Sequence, residues 1–277
     1  MKNKIAFKSL VIVAMFTALT CAATFIQIRM PAGDFVHLGN FVMIVAALLL
    51  GGLKGGIVGS LGMGIYDLIF YINKPTTIIR TFVLKFMVGF LVGFIFNLII
   101  KRKIKTTPLL YGTCALFGVL FTISIIMFSL GDFSKFGASN NFSSVYNNIF
   151  GSDKSFSVSL FIPVFSFIFG VGILIAAILS RKLSERSKVA LFAITIALVV
   201  NIVGEFILRF LLEGIMVSSF DVSIIVATSK IPGSLITGLI SILLSTLIYE
   251  PIYKALTNVG MVDKVDENDE DLSTEEI

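Results

Sequence analysis

Apolar residues fall in long, nearly unbroken stretches separated by short breaks that are charged or turn-forming, Phe86 to Ile100 and Leu235 to Tyr249 being typical. A helix that crosses a bilayer needs about 20 mostly apolar residues. The spacing of the breaks predicts helices over 8–28, 37–51, 54–71, 76–100, 108–130, 158–180, 189–212 and 230–253. The expected fold is therefore an all-α integral membrane protein of about eight transmembrane helices, a single transmembrane domain over 1–261. The second and third helices are short and are joined only by Gly51, Gly52, Leu53, Lys54, Gly55 and Gly56, so a re-entrant hairpin and six crossings is the alternative. Between the fifth and sixth helices, 131–156 is rich in Ser, Asn, Gly and Phe and reads as an outer loop or lid. Residues 262–277 lack apolar side chains for a core and read as a disordered, solubilising tail.

Composition agrees with lipid as the solvent: 56% of the 277 residues are hydrophobic and only 14% charged, against about a quarter charged in soluble chains. The net charge of +5 understates how basic the body is, because eight of the 17 acidic residues lie within 263–277. Assigning the breaks alternately to two sides places Lys2, Lys4, Lys8, Lys54, Lys101, Arg102, Lys103, Lys105, Arg181, Lys182, Arg186, Lys188, Lys254 and Lys264 on one of them. The positive-inside rule then puts both termini in the cytoplasm, with the bacterial plasma membrane as the expected location. A nucleic-acid partner is excluded on this pattern, since phosphate binding needs a continuous solvated basic surface. Cys21 and Cys114 lie in apolar stretches without metal-ligand spacing and read as small packing residues. Basic residues followed by an apolar run at 1–23 resemble a secretory signal, with Cys21 near a cleavage-like pattern; the apolar stretch continues through Ile28, which favours a retained first helix.

Charges inside the spans cost at least about 2.5 kcal/mol each and call for a partner, a cavity or a function. In the fourth helix Thr77, Thr81, Lys85, Gly89 and Gly93 recur every four residues, and in the seventh Asn201, Glu205, Arg209 and Glu213 do the same. The eighth adds Lys230, Ser234, Gly238 and Ser241, while Asp67 and Arg80 fall at the same predicted depth in the outer half. A water-accessible pocket among helices three, four, seven and eight explains this layer. The alternative is that Glu205 and Arg209 neutralise each other as structural glue, while Lys230 and Arg80 snorkel to the interface. The lone histidine, His37, falls in the first outer loop and cannot make a metal site by itself. Neither an HExxH motif nor a nucleophile paired with a histidine is present, so no catalytic residue, metal or cofactor is expected. Ala14, Ala18 and Ala22 share one face of the first helix, which suits either internal packing or a partner-protein face.

The run His37, Leu38, Gly39, Asn40, then Ala46 through Gly56 and on through Gly59 to Asp67, resembles the substrate-binding (S) component of energy-coupling factor (ECF) vitamin transporters. Lys85, Gly89 and Gly93 are similar to that family's lysine-then-glycine pattern, and Gly204, Glu205, Ile231 and Pro232 to its last two helices. The resemblance covers 1–100 and 189–255 and implies a six-helix bundle into which a helical hairpin, 108–181, is inserted. It also implies a membrane-embedded subunit, not an enzyme, that captures a vitamin-like small molecule from outside. A separate transmembrane coupling protein and two ATPases would energise its inward delivery, with Ala14, Ala18 and Ala22 docking the coupling protein. The substrate-binding candidates are His37, Asn40, Asp67, Thr81, Lys85, Asn201, Glu205, Arg209 and Lys230. These residue types suit a polar, zwitterionic or heteroaromatic ligand, such as riboflavin, a pyridoxine-type molecule or a thiamine precursor. Gly233 and Ser234 stand after Pro232, where the family often has an amide side chain, so no contact is carried over there. A stand-alone secondary transporter of a small polar solute is the competing reading; it favours inverted repeats, and the chain has no clear internal repeat.

Overall fold

The most apolar of the described helices lies at the centre of the molecule. The computed structural model describes residues 2–29, 35–129, 170–172, 174–175, 178, 183–215, 227 and 231–261. Its elements are α1 (Lys2–Phe25), β1 (Gln27–Arg29), β2 (Phe35–His37), α2 (Gly39–Leu50), α3 (Gly52–Phe70), α4 (Pro75–Arg102), α5 (Thr106–Ser129), α6 (Glu185–Arg209) and α7 (Ile231–Asn258). A π-helical turn, Phe210–Ile215, continues α6. Helices thus occupy seven of the eight stretches expected from the apolar runs. The other, 158–180, lies almost wholly outside the described residues, as do the expected loop 131–156 and tail 262–277.

Every residue of α2 from Val42 to Leu49 is buried, and Met43, Ile44, Ala46 and Ala47 are fully so. The helix packs against α1, α3, α4 and α7. Its 12 residues rise about 18 Å, well short of the ~30 Å hydrocarbon thickness. The 19 residues of α3 rise about 28 Å. Five described helices are long and apolar enough to cross a membrane: α1, α3, α4, α6 with its continuation, and α7.

Gly51 alone separates α2 from α3, and its φ of +86° is one that a side chain would strain. From that turn α3 runs directly against α4. A Cβ on Gly89 would collide with the Gly55 carbonyl, and one on Gly52 would come within 2.6 Å of the Phe90 carbonyl oxygen. The glycines are what let these two backbones touch. α4 has matching end signals: Pro75 at its first turn, Lys101 and Arg102 in its last, and Lys103 left-handed at φ 50° to close it. α6 starts at Ser184, whose side chain accepts the Ser187 N–H at 3.2 Å.

Polarity is inverted relative to a water-soluble protein. Phe7, Leu10 and Ile28 stand exposed, whereas Asp67, Arg80, Lys85 and Arg209 are buried. Lipid solvates the first group and would reject the second. α1 shows the division along one helix, since Thr17, Thr20 and Thr24 face inward while Ala14, Ala18 and Ala22 face outward. Thr17 and Thr24 hydroxyls donate to the carbonyls one turn back, both at 2.8 Å, which satisfies them without a partner helix. At one end of the bundle the Lys8 ammonium donates to the Gly260 carbonyl, so the start of α1 and the end of α7 lie together.

One element was not expected. β1 and β2 pair antiparallel, with Ile28 opposite Val36. The predicted first helix, 8–28, therefore stops at Phe25, because the backbone beyond it is committed to the hairpin. The predicted first outer loop accordingly contains a strand.

Candidate functional site

Where α3 ends and α4 begins, the bundle opens into a cavity of about 310 Å³. α4 contributes more of its wall than any other element. Thr77, Thr81 and Lys85 follow one another at four-residue spacing down one face, with Thr76 and Arg80 beside them. Lys85 lies ten residues into α4, about 15 Å below its first turn, so the cavity extends about that far along the helix. α6 supplies Asn201, Glu205 and Arg209 at the same spacing, α3 supplies Met63 and Asp67, and α7 supplies Ser234 and Thr237. Thr24 of α1, Asn40 of α2, and Phe35 and His37 of β2 complete the wall, with Tyr71 and Lys74 at the turn between α3 and α4.

Glu205 is the electrostatic centre. One carboxylate oxygen accepts from Arg209 Nη2 at 3.0 Å and lies 3.8 Å from Arg80 Nε. The other accepts from the Ser234 hydroxyl at 3.1 Å. A single side chain thus ties α4, α6 and α7 together at the depth of the cavity. Deeper in, Lys85 Nζ donates to Asn201 Oδ1 at 2.9 Å. The Thr81 hydroxyl donates to Asp67.

His37 lies outside the spanning helices. Its burial, and then the nearby Lys85 charge, hold its imidazole well below the ordinary histidine range, at about 3, against a smaller opposing pull from Glu205. The ring is neutral at physiological pH. Nδ1 accepts the Gly39 N–H at 3.2 Å, which leaves the proton on Nε2 as a donor.

Some buried polar atoms of the wall remain unsatisfied. Asn40 Oδ1 and Thr237 Oγ1 are buried and have no hydrogen-bond partner among the described residues. Each such atom costs about 1–3 kcal/mol. A bound molecule that supplied the missing partners would recover that cost. No group of three or more His, Cys, Asp or Glu side chains suited to a metal ion occurs among the described residues.

Eight of the nine substrate-binding candidates therefore line one cavity: His37, Asn40, Asp67, Thr81, Lys85, Asn201, Glu205 and Arg209. Lys230 lies outside the described residues. Glu205 and Arg209 do pair, and do so in the wall of a cavity, whereas Arg80 is buried beside Glu205 and does not snorkel to the interface. Sequence reasoning passed over Thr24, Phe35, Met63, Tyr71, Lys74, Thr76 and Thr237, and left Thr77, Arg80 and Ser234 uncommitted although helical spacing pointed to them. Ala14, Ala18 and Ala22 lie on the outward face of α1, away from the cavity.

No curated protein and no solved structure matches the chain. The family model for the ECF-type riboflavin transporter, S component, matches residues 4–152, more than half of its length. That match takes in α1 to α5 and with them most of the cavity wall. With a multi-pass helical bundle built around a buried polar cavity, this chain belongs to the family of S components of ECF-type riboflavin transporters.

Proposed function

We propose that the chain is the capture subunit of an ECF-type importer, binding a water-soluble vitamin or related micronutrient in the cavity of α3, α4, α6 and α7. Supply is from outside, and release is inward, with a separate transmembrane coupling protein and two ATPases. The observation that carries the reading is the cavity itself. Six charged side chains, Asp67, Lys74, Arg80, Lys85, Glu205 and Arg209, surround a space that reaches Lys85, ten residues into α4, and its wall holds buried polar atoms that lack partners. Such an arrangement is costly in lipid unless a polar solute uses it. Under the positive-inside rule the cavity opens outward, because the basic breaks lie at the opposite end.

The outward face of α1 suits the coupling protein. Ala14, Ala18 and Ala22 form an exposed strip of small side chains on which another helix could approach closely. Replacing Ala14 and Ala18 with Leu is expected to weaken co-purification with a coupling module while ligand affinity stays unchanged. Equal recovery of the complex would remove this face from the proposal.

Reconstitution tests the whole reading. The purified chain in liposomes should bind its cargo without ATP and accumulate none, and uptake should appear when coupling protein, ATPases and ATP are supplied. Accumulation by the chain alone under an ion gradient would establish the stand-alone transporter instead.

A further inference from the structure

We infer that Thr237 of α7 is a cargo-binding and specificity-determining residue, paired with Asn40 of α2, and that the molecule they hold presents an N–H or O–H donor to Asn40. The inference rests on the proposed capture role and concerns recognition within the same cavity.

Buried hydroxyls in this bundle ordinarily turn back on their own helix. Thr17, Thr24, Thr195 and Ser241 each donate to the carbonyl four residues earlier, at 2.6–2.8 Å. Thr237 does not, although only 3% of it is exposed and its oxygen is buried without a partner among the described residues. Asn40, also 3% exposed, is in the same condition at Oδ1. Both residues line the cavity. Thr20 and Thr246 likewise bury an unpaired hydroxyl but are not among the described residues of the cavity wall. They supply an internal comparison, the same polar cost without a space for a ligand.

The neighbours of Thr237 leave its hydroxyl to the cavity. Ser234, one turn earlier on α7 and also in the wall, already donates to Glu205 at 3.1 Å. Farther along the helix the Ser245 hydroxyl meets the Phe41 carbonyl at 3.4 Å, which holds α7 beside the start of α2. Thr237 comes eight residues before Ser245, about 12 Å of helix, so it stands nearer the cavity mouth than Asn40 does. One molecule that touches both must reach down the cavity instead of resting across its opening. Asn40 Oδ1 can only accept, so the cargo brings it a donor, while Thr237 Oγ1 serves a donor or an acceptor. Two such unmet atoms weaken the ligand-free protein, and a bound molecule relieves them. Affinity and stability therefore move in opposite directions when either group is removed.

The test uses the full chain in detergent, with riboflavin as first probe because it carries both an imide N–H and a hydroxylated chain, and with thiamine and pyridoxine beside it. Thr237→Val and Asn40→Leu should each raise the melting temperature of the ligand-free protein by about 2–4 °C, the scale of one buried unpaired group. Each should also weaken the probe that the wild-type chain binds by about fivefold or more in calorimetry, the scale of one neutral hydrogen bond. Thr237→Ser keeps the hydroxyl and should keep the affinity. Thr20→Val and Thr246→Val should raise the melting temperature alike and leave binding unchanged. Where riboflavin binds, the penalty of Asn40→Leu should vanish against 3-methylriboflavin, which lacks the imide N–H, or against lumiflavin, which lacks the hydroxylated chain.

Wild-type affinity in Thr237→Val would overturn the assignment and leave the capture role standing. Weaker binding together with a lower melting temperature would overturn it too, by making Thr237 a structural residue, as would equal losses of affinity in Thr20→Val and Thr246→Val. A penalty of Asn40→Leu that persists against both analogues would overturn the donor requirement. If the wild-type chain binds none of the probes, the capture role falls and this inference with it.

Discussion

Replacing Glu205 with Gln separates what the charged wall does for the fold from what it does for a ligand. The substitution keeps the shape of the side chain and one acceptor, but leaves Arg80 and Arg209, both buried, beside a neutral group. Removing one partner of a buried ion pair costs roughly 3–5 kcal/mol. Glu205 keeps 17% of its side-chain surface exposed, so the lower end, about 3 kcal/mol, is the reasonable expectation. For a chain of this size that is a fall in melting temperature of about 6–12 °C. The assay is thermal denaturation of the ligand-free protein in detergent, alongside Glu205→Gln combined with Arg209→Gln. Removing both charges of the 3.0 Å pair should recover part of the loss, since the penalty comes from the orphaned cation rather than from the absent contact. A fall of no more than about 2 °C, the scale of one neutral hydrogen bond, would refute the hub role. So would a double variant less stable than the sum of the two single ones.

The only histidine in the chain permits a clean titration. Burial and then Lys85 hold His37 at about 3 when folded, against 6.5 in the unfolded chain. The stability tied to its neutral ring is therefore present above about pH 6.5 and is lost as pH falls from there toward 3, by about 2 kcal/mol at pH 5. Its Cε1–H resonance should stay flat from about pH 8 to pH 5, and a midpoint near 6.5 would refute the buried neutral ring. The helix seam gives a contrast of sign. Gly89→Ala should destabilise by about 1–3 kcal/mol, because its Cβ would meet the Gly55 carbonyl. Gly112→Ala, where an added Cβ meets no atom of the described residues within 4 Å, should stabilise α5 by up to about 1 kcal/mol. Equal melting temperatures for the two variants would dismiss the backbone contact.

The helices were legible because lipid leaves few alternatives: a backbone crossing hydrocarbon must satisfy its own hydrogen bonds, and the apolar runs record where it does so. The cavity wall was legible for the same reason. Lys85, Asn201, Glu205 and Arg209 stand out in apolar helices, and four-residue spacing places them on common faces. Thr24 and Thr237 carried no such contrast, since a threonine in a spanning helix can satisfy itself on its own backbone, as Thr24 does. Phe35 and Met63 look like any other apolar residue in a chain this rich in them. The β1–β2 hairpin was hidden for another reason. Three residues per strand are too few to show an alternating pattern, and Ile26 and Ile28 extend the apolar run of α1 without a break.

The short α2 explains why there is room for a cavity at all. α2 and α3 leave the same turn at Gly51 and run side by side, but α2 is about 10 Å shorter, so Asn40 near its start faces the cavity from below while α3 continues upward as wall through Met63 and Asp67. Capacity is then a matter of length, separable from wall chemistry. One more turn at the start of α2 would raise the floor by about 5.4 Å, and one fewer would lower it, with Glu205 and its cations left where they are. A scaffold built this way can be refitted for cargo of another size by insertion or deletion at one helix end, before any recognising side chain has to change.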